Sequence, residues 1–391
     1  MKKKRILILI ETSRIYGRQI IDGIVRHSLE NGHWILFLED RGLRKEDSHW
    51  LLKLQYDGII ARTIDTASGI FLDSFKIPLV EMLGDGERRT SDILCDGKLL
   101  GNMAAQHFLS MKLRNFAFFS TGHTWWSADF CANYCHCIEE HGFSCMVSPF
   151  SAKKSDASLP LLMKNGIESK IAEWLRALPK PIGVFCPSDS QAVYLVNLCQ
   201  ILEIAVPNEI AILGVENNAT LCNATSPPLS SISVDGFETG YQAAILLDKK
   251  INKKPLPKLP ILIPPLDIVP RASTDSIYVA DPDVAKALYF ISQNDISQIT
   301  VKDIANSVDL SHRTLIRRFH EVLGHSPEKE IQRARIERVK TLLRDTDLTV
   351  TKIAENLGYS STEYLVRAFY RIMKITPRRY REKIGLDNNN K

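Results

Sequence analysis

The chain carries the same helical unit twice near its C-terminal end. The first copy contains Ile304-Ala305 and Phe319, and the second contains Ile353-Ala354 and Phe369, so equivalent residues lie 49 or 50 positions apart. In each copy, apolar residues at helical spacing are followed by a turn and by a second helical pattern that starts near a Ser. Two helices joined by a tight turn are a common unit for reading the DNA major groove. The duplication therefore predicts an all-α region with two helix-turn-helix units.

Polar residues on the second helix of each unit, or shortly after it, are the candidate DNA contacts. A recognition helix presents its N-terminal residues to base edges, and an Arg there can donate two hydrogen bonds to guanine. In the second copy, Tyr364, Leu365 and Phe369 are expected to point into the core. The candidates are Ser311, His312, Arg313, Thr314, Arg317 and Arg318 in the first copy, and Ser360, Ser361, Thr362, Glu363, Arg367 and Arg378 in the second.

The segment between the copies and the charge of the whole region agree with this prediction. Residues 328–344 mix apolar and charged side chains in a pattern that predicts one connecting helix, about 25 Å long at 1.5 Å per residue. Residues 282–385 hold 19 Lys and Arg against 13 Asp and Glu, whereas residues 1–281 hold 30 against 31. The positive charge is therefore concentrated where phosphate contacts are expected. A merely solvated charged face is the alternative interpretation.

The second copy also resembles the signature that closes AraC/XylS-type DNA-binding domains. Two positions depart from it: Tyr370 stands where a Lys is usual, and Lys374 where a helix-ending Gly is usual, although the first copy keeps that residue as Gly324. The resemblance implies double-stranded DNA as a partner and a contact with RNA polymerase. The matching residues are Ile353-Ala354, Leu357-Gly358-Tyr359, Ser360, Tyr364, Phe369, Thr376-Pro377 and Tyr380-Arg381.

The rest of the chain alternates short apolar runs with helical patterns. Segments such as Ile6–Ile10, Gly58–Ala61 and Ile210–Val215 are typical of buried strands. Strands separated by helices predict β-α-β units, and two such series, one from Ile6 and one from Phe116, predict two doubly wound lobes. Ligands of such folds bind where the carboxyl ends of the strands face a crevice. The expected fold is therefore an α/β two-lobed domain followed by an all-α tandem helix-turn-helix domain.

This α/β region is similar to LacI/GalR regulators and periplasmic sugar-binding proteins. The segments Tyr16–Gly23 and Arg271–Asp275 extend the similarity to XylR-type regulators of xylose operons, which place such a sensor ahead of an AraC-type domain. The resemblance implies a periplasmic-binding-protein-like sugar sensor and a homodimer. The segments that match the wider family are Asp57–Ile60, Pro207, Glu209–Val215, Asn217-Asn218, Pro228–Ile232 and Gly240–Ala244.

Candidate ligand contacts lie in the loops that follow the predicted strands. A sugar is held by an aromatic face and by planar polar groups. Helix capping is the alternative role for Asp189, and core packing is the alternative for the two tryptophans. Related sensors often carry an Arg soon after the aromatic, and residues 128–131 contain none, so another pentose, a hexose or a sugar acid are alternatives to xylose. The candidates are Tyr16, Arg18, Trp125, Trp126, Asp189, Asn217, Asn218 and Asp235.

The N-terminal segment imitates a signal peptide without completing one. Lys2–Arg5 precedes the apolar run Ile6–Ile10, but the run is too short, and Glu11 interrupts it. Nowhere does the sequence approach the roughly eighteen apolar residues that a membrane helix needs. These features predict a cytoplasmic protein that has no membrane partner.

Cysteine usage and the known catalytic motifs provide no sign of a metal centre or an enzyme. The eight cysteines follow no disulfide pattern, and Cys137 points away from Cys131 and Cys135 on the predicted helix, so no metal site is expected. No phosphate-binding loop or nucleophile motif is completed. We therefore predict a protein that is not an enzyme and has no cofactor, with a small effector, a monosaccharide, as its ligand.

The domain boundaries follow from a proline-rich stretch between Lys253 and Asp281, which favours edge strands and extended segments. The expected organisation is a sensor domain at 1–275, a linker at 276–281, a DNA-binding domain at 282–385 and a disordered tail at 386–391. The predicted function is a transcription regulator that activates sugar-catabolism genes when a monosaccharide binds. Two alternatives are an orphan regulator whose sensor only dimerises and a sugar-modifying enzyme with a DNA-binding appendage.

Overall fold

The computed structural model describes residues 3–31, 34–39, 54–62, 70, 72, 74–82, 92–122, 124–150, 167–275, 281–373 and 375–381. Residues 276–280 of the predicted linker, the predicted tail at 386–391 and Lys374 lie outside these ranges. The chain divides into two compact units, residues 1–274 and residues 275–391.

The N-terminal unit alternates strands and helices, as the sequence predicts. Its elements in chain order are β1 (Lys4–Leu9), α1 (Ile15–Asn31), β2 (Trp34–Glu39), β3 (Gly58–Arg62), β4 (Leu79–Met82), β5 (Ile93–Cys95), α2 (Gly97–Ser110), β6 (Phe116–Phe118), α3 (Trp125–Glu140), β7 (Cys145–Val147), α4 (Ile167–Ala177), β8 (Ile182–Phe185), α5 (Asp189–Ile201), β9 (Ile210–Val215), α6 (Ala219–Asn223), β10 (Ser230–Ile232), α7 (Gly236–Ile251), β11 (Ile261–Ile263), β12 (Ile268–Val269) and a 3-10 turn (Ala272–Thr274).

These strands form two sheets, one for each lobe. In the described residues the first sheet has the order β11-β5-β4-β3-β1-β2 and the second has the order β12-β10-β9-β8-β6-β7. The proline-rich stretch supplies an edge strand to each sheet, because β11 pairs parallel to β5 and β12 pairs antiparallel to β10. The edge strands predicted in this stretch are therefore present, one in each sheet.

Strand β1 shows why the sheets are covered on both faces. Its residues from Ile6 to Leu9 are all apolar and buried, and alternate side chains lie on opposite faces of a strand. Ile6 and Ile8 pack in one hydrophobic cluster, whereas Leu7 and Leu9 pack in another. A strand buried on both faces is typical of a parallel sheet that lies between helices.

Two glycines let helices α1 and α7 approach closely beside the first sheet. A Cβ atom on Gly23 would collide with the carbonyl oxygen of Phe237, and one on Gly240 would collide with the carbonyl oxygen of Ile20. The chain enters α7 directly from the second lobe, since β10 lies in the second sheet. The close packing therefore places residues of α7 next to the start of α1.

The C-terminal unit is all-α in the part of the chain that the structure describes. Its helices are α8 (Pro282–Gln293), α9 (Val301–Ser307), α10 (His312–Leu323), α11 (Pro327–Asp345), α12 (Val350–Asn356) and α13 (Thr362–Met373). Helices α9 and α10 form the first helix-turn-helix unit, and α12 and α13 form the second. The turn is 308–311 in the first unit and 357–361 in the second, so the added residue lies in the turn, as the sequence spacing predicts.

Each helix-turn-helix unit has its own hydrophobic core. Leu315 and Phe319 of α10 are fully buried in the first core, and Leu365 and Phe369 of α13 are fully buried in the second. The connecting helix α11 contributes Ile331 to the first core, and Ile336, Val339 and Leu343 to the second. One rigid helix therefore belongs to both units.

Candidate ligand cavity and DNA-binding helices

A cavity lies between the two lobes of the N-terminal unit. It encloses about 700 Å³ of empty space including its open mouth, a volume typical of sites for small molecules. Both lobes contribute to its wall, so a ligand inside it contacts both. Among the described residues, those that line it are Tyr16, Ile20, Arg62, Met82, Ile93, Leu94, Cys95, Trp125, Trp126, Asp129, Phe130, Pro187, Val215, Glu216, Val234 and Thr239.

Tyr16 is held in this wall by contacts from two directions. Its hydroxyl lies 3.2 Å from the Oγ1 atom of Thr239 on α7, and the guanidinium carbon of Arg62 lies 5.5 Å from the centre of its ring. Burial raises the pKa of Tyr16 to about 12, so the phenol stays protonated. A hydroxyl and a guanidinium that face one cavity can bond the hydroxyl groups of a sugar.

The two predicted tryptophans both line the cavity, at the start of α3. Trp126 packs edge-to-face on Phe130, with ring centres 5.7 Å apart. Trp125 follows Thr124, which occupies the N-cap position of the helix. Aromatic faces of this kind suit the C–H face of a sugar ring, while polar atoms bond its edge.

Glu216 is a cavity residue that the sequence did not single out. It follows β9 with a backbone φ of 103°, and Asn217 after it has a φ of 49°. Two consecutive non-glycine residues with positive φ are strained, and such strain occurs mainly at functional sites. The Glu216 side chain is only 11% exposed and lies 3.5 Å from the guanidinium of Arg14, which belongs to the other lobe. Glu216 therefore carries a carboxylate at the boundary between the lobes.

Asp129 lies in the stretch where the resemblance to sugar sensors implies an Arg, and it also lines the cavity. Its carboxylate accepts a hydrogen bond of 3.1 Å from the amide of Asn133. Burial raises the pKa of Asp129, and this bond opposes the rise. In the described part of the wall, the charged lining residues are thus Asp129 and Glu216, which carry carboxylates, and Arg62, which carries a guanidinium.

Arg18 does not line the cavity. Its guanidinium donates to the backbone carbonyls of Thr12 at 2.6 Å and Ser13 at 3.2 Å. Helix α1 begins at Ile15, so Tyr16 and Arg18 lie on one helix about 200° apart. Because Tyr16 faces the cavity, Arg18 faces away from it and fastens the loop after β1.

The polar candidates after β8 and β9 form a buried network rather than a cavity wall. Asp189 is fully buried and accepts hydrogen bonds from the hydroxyl of Ser231 at 2.5 Å and from the backbone of Asn218 at 2.7 Å. Asn217 accepts a bond of 2.8 Å from Arg271, and Asn218 caps α6. Asp235 caps α7, between the lining residues Val234 and Thr239. These four side chains hold the loops that shape the cavity.

Burial raises the pKa of Asp189 to about 7, although its hydrogen bonds from Ser231 and Asn218 favour the charged form. An unfolded aspartate has a pKa of about 3.9. Between these values the folded protein holds one more proton than the unfolded chain, so this carboxyl lowers the free energy of unfolding as the pH rises. We expect Asp189→Asn to remove this contribution, which is on the order of a few kcal/mol between about pH 4 and 7.

Urea unfolding of the full-length protein at several pH values measures the slope. The matched control is Glu203→Gln, which removes an exposed carboxylate from the same lobe and should leave the slope unchanged. An identical pH dependence in wild-type and Asp189→Asn protein would contradict this account of Asp189.

In the first helix-turn-helix unit, most of the candidate DNA contacts are exposed, whereas Arg318 is held in ion pairs within the domain. Ser311 caps α10 and accepts a bond of 3.2 Å from the backbone of Thr314, and His312 and Arg313 are exposed beside it. Arg317 is exposed, with Glu321 at 2.8 Å. These residues form one accessible helix start.

Arg318 has a different role from the predicted one. Its guanidinium lies 3.1 Å from Asp281 and 2.7 Å from Asp283, both at the start of α8. The two carboxylates hold Arg318 against the body of its own domain, so the structure does not place it with the exposed residues of α10.

In the second unit, Ser361 rather than Ser360 caps the recognition helix, since it accepts a bond of 3.2 Å from the backbone of Tyr364. Glu363 and Arg367 are exposed on α13, and Ser360 and Arg378 are exposed outside it, while Thr362 is half-buried. The expectation that Tyr364 points into the core is wrong, because its side chain is 46% exposed and leans on Tyr359. The helix therefore presents an aromatic among its polar residues.

Within the described residues, no group of three His, Cys, Asp or Glu side chains could hold a metal ion. The thiols of Cys131 and Cys135 lie 3.9 Å apart, and all eight cysteines are free. No described helix combines the length and the apolar character needed to cross a bilayer.

Fold and sites together define a class of protein: a ligand-responsive, DNA-binding transcription regulator. Residues 5–92 match the XylR N-terminal domain, residues 105–274 match the periplasmic binding protein-like domain, and residues 304–383 match a helix-turn-helix domain. The predicted order of a two-lobed sensor and a tandem helix-turn-helix domain is therefore confirmed.

Relatives give the more particular assignment. The chain is 28% identical over 390 residues to the xylose operon regulatory protein of Haemophilus influenzae, covering 96% of this chain and 98% of that protein. A putative AraC-like transcription regulator of Streptomyces lividans is 36% identical over 104 residues, 27% of this chain and 34% of the relative. A solved xylose-binding transcription activator, xylR, superposes with a TM-score of 0.77 at 25% identity and 98% coverage of both chains. The chain is thus similar along nearly its whole length to xylose operon regulatory proteins, which are regulators and not enzymes, as predicted.

Proposed function

We propose that this protein binds a monosaccharide, with D-xylose as the first candidate, in the cavity between its lobes and then activates transcription of sugar-catabolism genes. The observation that carries the proposal is the composition of the cavity wall. One side offers aromatic faces from Trp125 and Trp126, and polar groups of Tyr16, Arg62 and Glu216 come from separate elements. A sugar needs both kinds of contact.

The coupling to DNA follows from the position of the cavity. A ligand shifts a conformational equilibrium only when it binds one state better than the other. A sugar that contacts both lobes favours the state in which they are close, since only there can it bond both walls. The closed state would then set how the exposed residues of α10 and α13 meet successive major grooves. A homodimer in the cytoplasm, with RNA polymerase contacted at the promoter, completes the proposal.

The relatives support xylose as the first sugar to test, because they carry that sugar in their names and one solved structure is xylose-binding. Because residues 128–131 contain no Arg, other sugars should be tested together with xylose. Titration calorimetry with D-xylose, L-arabinose, D-ribose, D-glucose and D-glucuronate should give saturable heat for one of them. The intrinsic fluorescence of Trp125 and Trp126 provides a second signal from the cavity wall.

An orphan regulator whose sensor only holds a dimer together is the second candidate. The observation that favours it is the acidic Asp129 in a stretch where sugar-binding relatives often carry an Arg. If none of the sugars binds and the protein still selects one duplex from a random pool, the orphan function replaces the sensor function. If the protein selects no duplex, both functions fail.

A further inference from the structure

The last turn of the N-terminal unit is fastened into the second sheet by buried hydroxyl groups. The hydroxyl of Ser273 donates to the carbonyl of Ile212 at 2.6 Å and accepts from the backbone of Ser230 at 2.8 Å. Thr274 donates to the hydroxyl of Ser230 at 2.8 Å and contacts Nε2 of His107 at 2.9 Å. The 3-10 turn therefore moves with the second lobe, because buried hydrogen bonds of this kind are costly to break.

Arg271 connects this turn to the loop that edges the cavity. Its guanidinium donates to the side chain of Asn217 at 2.8 Å and to the carbonyl of Leu229 at 2.9 Å, and the residue is 5% exposed. Asn217 directly follows Glu216, which lines the cavity and faces Arg14 of the other lobe. The strained loop at the cavity and the end of the sensor thus share one buried guanidinium.

Asp275, the residue after Thr274, is the first residue of the C-terminal unit, and its side chain forms an ion pair with the connecting helix α11. Its carboxylate lies 3.0 Å from the guanidinium of Arg333 in the middle of α11. The same guanidinium lies 2.7 Å from Glu330, which is 2% exposed, and Glu330 lies 3.4 Å from the ring of His325. Two carboxylates on one guanidinium form a fixed junction, because the planar fork bonds both at once.

We propose that Asp275 is a positioning residue that transmits the state of the cavity to the DNA-reading helices through its ion pair with Arg333. Thr274 moves with the sensor, and Asp275 follows it directly in the chain. A shift of the sensor turn therefore pulls on α11, which belongs to the cores of both helix-turn-helix units. The inference rests on the proposed function, because it needs a sensor that changes state.

The conservative variant Asp275→Asn separates this role from a purely structural one. Removing Arg333 would leave the buried charge of Glu330 poorly compensated and could unfold the domain. Of the two carboxylates on Arg333, Asp275 is more exposed than Glu330, so its replacement disturbs the core less. Asparagine has the size of aspartate and lacks only its charge. Arg333→Lys is the second variant, since an ammonium compensates Glu330 but does not form a planar fork to both carboxylates. Glu355→Gln, which removes one carboxylate from an exposed ion pair of the same unit, is the matched control.

The test measures how far a change in the sensor alters DNA affinity in the full-length protein. The duplex is one that the wild-type protein selects from a random pool, and thermal unfolding checks that each variant is folded. Two sensor perturbations are applied: D-xylose, and, without sugar, Arg14→Ala, which removes the ion pair between the lobes. We expect each to change wild-type DNA affinity by about fivefold or more. Asp275→Asn and Arg333→Lys should reduce both changes to less than about twofold, and Glu355→Gln should not.

Each result decides a different point. If D-xylose has no effect while Arg14→Ala changes DNA affinity, and that change disappears in Asp275→Asn, the positioning role stands and the choice of xylose is wrong. If either change persists undiminished in the folded Asp275→Asn protein, the positioning role is wrong. If neither perturbation alters the DNA affinity of the wild type, the sensor does not act through this junction, and the proposal is overturned.

Discussion

Arg313→Ala is expected to weaken binding to the selected duplex by about 10- to 100-fold at moderate salt, because a forked Arg contact to guanine contributes about 1–3 kcal/mol. Arg313 is exposed, and the two residues before it are the cap of α10 and an exposed His. This is the part of a recognition helix that meets base edges. Fluorescence anisotropy with the selected duplex and with a scrambled one measures both affinity and specificity.

The control for Arg313 is another exposed arginine outside the DNA-binding domain. Arg176→Ala, in the last turn of α4, removes the same charge and should leave both affinities within about twofold. A loss that is equal for the selected and the scrambled duplex would show that Arg313 contacts phosphate rather than a base. Unchanged affinity for both duplexes would contradict the assignment of α10 as a recognition helix.

Glu216→Gln is expected to raise the dissociation constant for the bound sugar by about 10- to 100-fold, because a hydrogen bond to a charged group contributes about 1.5–3 kcal/mol. The carboxylate can accept bonds from two sugar hydroxyls, whereas the amide offers one acceptor oxygen. Glu216 also lies 3.5 Å from the guanidinium of Arg14 in the other lobe, so the variant also weakens the ion pair between the lobes. Calorimetry with the sugar identified in the titration panel measures the effect.

Glu203→Gln serves as the control for Glu216, because Glu203 is an exposed carboxylate of the same lobe and is absent from the cavity lining. It should leave the dissociation constant within about twofold of wild type. Equal sugar affinity in wild-type and Glu216→Gln protein, with both folded, would remove Glu216 from the binding site.

Periodicity was enough to predict the fold, and it was not enough to find the whole cavity. Apolar runs with helical segments between them identify parallel strands, and the doubled helical unit identifies two helix-turn-helix motifs. Tyr16, Trp125 and Trp126 could be proposed as cavity residues because they follow predicted strands, and ligands of such folds bind at the carboxyl ends of the strands. Arg62, Asp129 and Glu216 carry no motif, and only the folded chain brings them together.

The predicted sites that the structure reassigns share a physical reason. Asp189 follows a strand end, as a ligand-binding residue would, but Ser231 and the backbone of Asn218 reach it first and bury it. Arg318 follows Arg317 on the same helix, yet two carboxylates at the start of α8 hold it. Sequence spacing predicts the position of a residue on a helix or strand. The partners of its side chain depend on segments that are distant in the sequence.

The length of the connecting helix α11 sets the relative orientation of the two helix-turn-helix units. One continuous helix contributes residues to both hydrophobic cores. The orientation of one helix-turn-helix unit relative to the other therefore depends on the number of residues in α11. A single inserted residue would turn the second unit by about 100° and move it by about 1.5 Å relative to the first unit. A change of one residue in the length of α11 would therefore alter the relative orientation of the two units and the pair of DNA grooves that they can contact together.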